Sequence, residues 1–161
     1  MAASSASTTP LPEVALLVRQ PWVSMILDGQ KIWEMRGEAC HRRGRVALAC
    51  AGTGLLYGEA DLIDCRLVAC RDAGGTLVAA GRHEDFPFLP NNLDKHGLTP
   101  TDFQGFDYRR WWAWVMDDPR WYPKPVPYTH PRGAVKWVRL AQPAPASASL
   151  TETTRKRARR T

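Results

Sequence analysis

Cysteine is sparse in this 161-residue chain, and its spacing carries no chemistry. Cys40, Cys50, Cys65 and Cys70 are the full set, and no two of them form a CxxC pair. A zinc site built from Cys40 and His41 with Cys65 or Cys70 would have a spacing that matches no metal pattern, so no metal is expected. Long apolar runs are missing as well. No stretch approaches the ~18 residues that a membrane helix needs, and no membrane partner is expected. The opening segment, MAASSASTTPLPE, has neither the basic residues nor the apolar run of a secretory signal. The expected location is therefore cytoplasmic, with the cysteines reduced. An excess of basic charge is missing from the body of the chain. Of the net charge of +6, Arg155, Lys156, Arg157, Arg159 and Arg160 supply +5, which leaves +1 for everything else. The high isoelectric point thus defines no basic binding face.

What is present is ample for a folded core. Hydrophobic residues make up 44% of the chain, an ordinary share for a globular protein. Seven tryptophans are many for this length, and most are expected to anchor the core. Residues 1–12 are Ala-, Ser-, Thr- and Pro-rich and are expected to be a disordered tail. Residues 141–161 begin in Pro and Ala and end in charge, and are expected to be a second, basic disordered tail. Such a tail adds non-specific phosphate affinity that fades with salt. One domain over 13–140 remains, without internal repeats.

The coarse pattern along that body is mostly strand. Val14, Leu16 and Val18 alternate with Ala15, Leu17 and Arg19, which predicts a first strand. Pro21 suits the first turn of a helix, so PWVSMILDG reads as a short helix closed by Asp28-Gly29. Trp22, Met25, Ile26 and Gly29 would form its inner face. KIWEMR (31–36) reads as a second strand, with Trp33 and Met35 on one side and Ile32, Glu34 and Arg36 on the other. Further strands are expected over 44–50, over 56–68 with a bend near Gly58, over 110–116 and over 134–140. Residues 71–106 hold turn clusters and one helix near 99–105, an insertion over one end of the barrel. The segment from Asp117 to Gly133 contains five prolines and is expected to be a crossing loop, because proline has no ladder donor. The expected class is α+β, mainly β: a small, partly closed barrel with a short early helix and a peripheral helical insertion.

Three segments go further than a generic barrel. Arg19-Gln20-Pro21-Trp22 is followed, at a fixed distance, by Gly29-x-Lys31-x-x-Glu34-x-Arg36. The GEADLIDC strand (58–65) follows, and then RRWWAWVMDDPRWYPKPVPYTHPRGAVKWVRL (109–140). Together these resemble the ASCH domain family across residues 14–140. Its members open with an Arg-Gln-Pro-aromatic turn, a helix and a Gly-x-Lys-x-x-Glu-x-Arg signature. The resemblance implies a PUA-like β-barrel with RNA or a nucleoside as partner. Some members are described as ribonucleases, and a minimal branch is an amidohydrolase that deacetylates acetylcytidine. That branch has Thr three positions after its Lys, where this chain has Glu34. Its second, downstream glutamate has no secure match here; Glu59 is the nearest candidate on a strand.

The residues themselves give reasons for the pattern. Gly29 permits the sharp passage from helix to strand. Lys31 would bring an ammonium to the edge of a pocket. Glu34 and Arg36 lie two apart on one strand face, so carboxylate, guanidinium and ammonium could orient a base edge, a phosphate or a water. The alternative is an ion-pair cluster at the barrel end. Arg19 and Gln20 precede a helix start, which offers free N–H groups to an anion, or Gln20 could cap the helix. Trp22 could stack on a base or fill the core. Ser24 could offer a pocket hydroxyl, although no neighbouring histidine marks it as a nucleophile. Trp112 and Trp114 share one face of their strand and Trp111 takes the other, so one face could form a stacking wall. His41 and His130 read as ordinary loop residues.

The expected function is binding of RNA or a modified nucleobase through Arg19, Gln20, Trp22, Ser24, Lys31, Glu34 and Arg36. The alternative is a hydrolase, either a ribonuclease or an amidohydrolase acting on an acylated nucleoside. Lys31 would then activate a water and Glu34 would act as base. No cofactor is identified; a divalent metal would enter only with the ribonuclease alternative.

Overall fold

The computed structural model describes residues 9–80 and 92–142. The basic run from Arg155 to Arg160 and most of both tails lie outside the described residues. Among the described residues seven strands form one sheet, with β2 (Trp33–Arg36), β6 (Arg110–Pro127), β4 (Leu55–Arg71), β3 (Gly44–Cys50), β1 (Val14–Val18) and β7 (Trp137–Arg139) in spatial order. A short β5 (Leu77–Ala79) pairs with β4 off this path. Among the described residues β1 and β3 pair in parallel, and the other pairings are antiparallel. The helices are short: α1 (Trp22–Leu27), α2 (Leu93–His96) and α3 (Pro100–Gly105). Among the described residues no helix is long and apolar enough to cross a membrane.

The expected barrel is not closed. β2 and β7 are the ends of the strand order and do not pair with each other. Side chains bridge them instead. Arg36, at the end of β2, donates from Nη2 to the Leu17 carbonyl of β1 at 2.7 Å. Glu38 forms an ion pair with Lys136, next to β7. Trp114 of β6 stacks on Trp137 of β7 with centroids 5.7 Å apart and ring planes 13° apart.

The curl of the sheet buries both of its faces. Val14, Leu16 and Val18 join Leu48, Leu62 and Trp114 in one cluster, which α1 plugs with Val23, Ile26 and Leu27. This corrects the expected inner face of α1, because Trp22 and Met25 are only half-buried and Gly29 is exposed. Ala15 and Leu17 point to a second cluster with Ala47, Ala49 and Val138. A third cluster holds Trp33, Met35 and Trp111 beneath α3. Trp111 is fully enclosed there and Trp114 is 1% exposed in the first cluster. Both faces of the Trp-rich strand are therefore core, and neither is a stacking wall.

The largest departure from the sequence reading is the proline-rich segment. It is no loop at its start: β6 continues as strand to Pro127. Its ladder with β4 tolerates Pro119, Pro123 and Pro125 because register shifts absorb them, while Pro127 ends the strand opposite Leu55. Leu56 faces Val126 and Gly58 faces Trp121, so Tyr122, Pro123, Lys124 and Pro125 stand opposite Tyr57 alone. Pro119 falls at another shift, between the Glu59–Arg120 and Asp61–Asp117 pairs. A bulge leaves a residue outside the ladder, and there a missing N–H costs nothing. The segment then covers the second core cluster with Tyr122, Val126 and Tyr128.

Gly58 sits where β4 shifts register against β6. A Cβ there would strike the Arg120 carbonyl and the Leu27 side chain. Backbone cannot move aside as a flexible side chain can. Gly58→Ala is expected to lower unfolding free energy by about 1–3 kcal/mol, the usual cost of overpacking. Denaturant unfolding checks this, and an alanine variant as stable as the wild type would contradict so close an approach.

Candidate functional site

The site is built around β2. Gly29, at φ +76°, ends α1 in the left-handed conformation that glycine adopts most easily and turns the chain toward that strand. Trp33 and Met35 then enter the third core cluster. Glu34 and Arg36 take the opposite face and meet there. Arg36 donates from Nε to Glu34 Oε1 at 3.0 Å, and its Nη2 lies 3.0 Å from the same oxygen. The guanidinium also lies over the Trp114 ring, 5.6 Å from the centroid.

Lys31 is not at a pocket edge. Its residue is 1% exposed, and its ammonium lies behind Glu34. Nζ donates to the Trp33 and His96 carbonyls, each at 2.6 Å, and lies 3.6 Å from Glu34 Oε2. Two carbonyls accept from the ammonium, and the Glu34 carboxylate balances its charge. Burial pushes its pKa below the ordinary lysine value, and the Glu34 carboxylate opposes that push. Glu34 is thus a carboxylate held between two cations, with its outer side toward solvent. The His96 contact also ties α2 to β2.

The opposite wall comes from the segment after α3. Thr99 and Asp102 form a reciprocal capping box, with Pro100 in the first turn, and this starts α3 cleanly. Arg71 of β4 then clamps α3 and the segment that follows. Its Nη2 donates to the Phe103 carbonyl at 2.8 Å and its Nε donates to the Tyr108 carbonyl at 3.2 Å. Phe106 and Tyr108 stack with centroids 5.3 Å apart, and Trp22 packs on Phe106 at 5.7 Å. Burial raises the Tyr108 phenol above the ordinary tyrosine value; Arg36 opposes this and Glu34 adds to it. Tyr108 stays protonated at neutral pH and keeps an O–H to donate.

Together these walls enclose a half-open cavity of about 390 Å³. Arg19, Trp22, Glu34, Arg36, Phe106 and Tyr108 line it, and Leu17, Ala51 and Gly52 also border it. His130, Ala134 and Val135 complete the lining from the loop before β7. His130 Nε2 donates to the Ala134 carbonyl at 2.9 Å, since a carbonyl can only accept. Its Nδ1, 3.1 Å from the Tyr128 hydroxyl, is then the acceptor in a neutral ring. Val135 is 83% exposed at the rim. The volume lies within the range of small-molecule sites. The aromatic rings can hold a planar group. The carboxylate can accept from its N–H donors, and Arg36 and Tyr108 can donate to its oxygens. Arg19, exposed at the rim, can meet a phosphate.

Of the residues that the sequence singled out, Arg19, Trp22, Glu34 and Arg36 share this cavity. Gln20 and Ser24 do not line it; the Ser24 hydroxyl donates to Gln20 Oε1 at 2.9 Å, and neither side chain caps α1. Glu59 is elsewhere, fixed by Arg45 Nε at 2.8 Å and by the Tyr122 hydroxyl at 3.0 Å. Phe106, Tyr108, His130 and Val135 were not singled out for the pocket. Phe106 ends the expected insertion and Tyr108 follows it, and only the insertion's expected placement over one end of the barrel hinted at them. Among the described residues no group of three or more His, Cys, Asp or Glu could hold a metal ion.

The fold is that of ASCH domains. The ASCH protein of Zymomonas mobilis superposes with a TM-score of 0.55 at 12% identity, covering 80% of this chain and 87% of that one. A tyrosine-to-phenylalanine variant of that protein gives 0.55 at 11% identity, over 80% and 89%. A serine-to-alanine variant gives 0.55 at 12%, over 83% and 92%. No family model matches the sequence, and no curated protein matches it.

The buried position of Lys31 sets a stability test. Removing its charge leaves two buried carbonyls without their donor and Glu34 with one of its two cations. Lys31→Ala is expected to lower unfolding free energy by about 3–5 kcal/mol, as for other broken buried pairs. Lys31→Met keeps most of the volume and isolates the loss of polar contacts. A Lys31→Ala melting curve matching the wild type would contradict the buried ion pair.

Proposed function

We propose that this chain binds RNA or a modified nucleobase in the cavity between Glu34–Arg36 and the aromatic wall. The observation that carries the reading is the pairing of a fixed carboxylate–guanidinium edge with Trp22, Phe106 and Tyr108 around one half-open space. A base has two recognisable parts, a π face and a polar edge, and these walls offer a partner to each. Arg19 at the rim is placed to meet the attached phosphate.

The hydrolase alternative asks Lys31 to activate a water. Its amine is enclosed by two carbonyls and Glu34, away from the cavity lining, which favours binding over that chemistry. In this reading Lys31 acts through Glu34. The basic run from Arg155 to Arg160 would add sequence-independent attraction to phosphate, and the free thiols fit a cytoplasmic location.

Tryptophan fluorescence tests the reading. The full chain is titrated with each nucleoside 5′-monophosphate and with acylated cytidine, at raised salt to suppress the tail's contribution. At least one probe is expected to saturate the wild type. Arg19→Ala is expected to weaken that binding about tenfold or more, the worth of one charge-assisted contact, while melting stays unchanged. Tyr108→Phe, which keeps the stacked ring, should weaken it less. Equal affinities in wild type and Arg19→Ala would sink the proposed ligand pose.

A further inference from the structure

A second hollow of about 380 Å³ lies beside the first, along the open seam of the sheet. Its lining includes Glu38, His41, Arg42, Lys136 and Trp137. Two short stretches of chain pass from one cavity to the other. Arg36 lines the first and Glu38 the second; Ala134 and Val135 line the first, Lys136 and Trp137 the second. A continuous column joins them. Arg36 lies over Trp114, Trp114 stacks on Trp137, and Arg42 lies 5.5 Å from the centre of the Trp137 ring.

We propose that the Trp137–Arg42 hollow is a second nucleotide subsite, which seats the neighbour of the nucleotide held in the first cavity. This rests on the reading of the first cavity as a nucleobase site and narrows its ligand to a strand of at least two nucleotides. Trp137 is half-buried, and its ring supplies a π face on which any base can stack. Arg42 is exposed, so its guanidinium can yield that face to a base or close over it. The loop that carries Arg42 is shaped from within: Arg43 donates from Nη1 to the carbonyls of Cys40 and Arg42 at 2.9 and 2.8 Å. Among the described residues that line the hollow, Lys136 is paired with Glu38, which leaves the Arg42 guanidinium to meet a bridging phosphate. Consecutive residues border the two spaces, Val135 the first and Lys136 the second, so neighbouring nucleotides of one strand can reach both, each base against its own protein ring.

The test uses the full chain and two probes: a fluorescein-labelled pool of random RNA tetramers, read by anisotropy, and the nucleoside 5′-monophosphates, read by tryptophan quenching. Arg42→Ala and Trp137→Leu are each expected to weaken tetramer binding about tenfold or more, the loss typical of one stacked base, and to leave monophosphate affinity unchanged. Trp137→Leu removes half of a buried stack; should that variant fail to fold, the exposed Arg42→Ala decides. Unchanged tetramer affinity in folded Arg42→Ala overturns the second subsite, as does an equal loss for both probes. A wild-type protein that binds monophosphates but binds tetramers no tighter also overturns it, and leaves the first cavity standing. Failure of both probes on the wild type removes both sites.

Discussion

The Glu34 carboxylate, fixed between the buried Lys31 ammonium and the Arg36 guanidinium, is the interaction on which the arrangement turns. Each cation does a second job through its remaining hydrogen bonds. Lys31 holds the His96 carbonyl and so fastens α2 to β2. Arg36 reaches the Leu17 carbonyl and so draws β2 toward β1 across the open edge of the sheet. One carboxylate therefore coordinates the helical cap, the sheet seam and the polar wall of the cavity. Breaking it exposes a charge that burial has stripped of water, which is why the cost should appear in stability before it appears in binding.

The seam explains how an unclosed sheet can still enclose a site. A closed barrel would fill this region with a backbone ladder. Here the edge strands stay unpaired with each other, and Arg36, the Trp114–Trp137 stack and the Glu38–Lys136 pair span the gap. Side chains span more space than a ladder does and leave hollows between them. Both cavities open along this line.

Much of this was legible from residue order. Alternation placed Glu34 and Arg36 together and Trp33 and Met35 in the core, because a strand has only two faces. Gly29 marked the turn, and Thr99-Pro100 marked the start of α3. Three features were not legible, for physical reasons. The burial of Lys31 depends on the His96 carbonyl, 65 residues away in sequence; local pattern reports charge but not the distant acceptors that make burial tolerable. The proline-rich end of β6 read as a loop because proline is excluded from regular ladders, whereas here register shifts carry the prolines. The aromatic wall of Phe106 and Tyr108 depends on Arg71, whose partners lie 32 to 37 residues on.

The central claim is that ligand meets the Glu34–Arg36 edge and the aromatic wall at the same time. Titration of isotopically labelled protein with a saturating nucleoside 5′-monophosphate, followed by NMR, tests it most directly. The account predicts that the Arg36 Nε–H and Trp22 indole N–H resonances shift together along one saturation curve, while the Trp121 indole, which donates to Asp28 at 2.8 Å outside the cavity, stays still. Saturable shifts at Trp121 with Arg36 and Trp22 unmoved would contradict it.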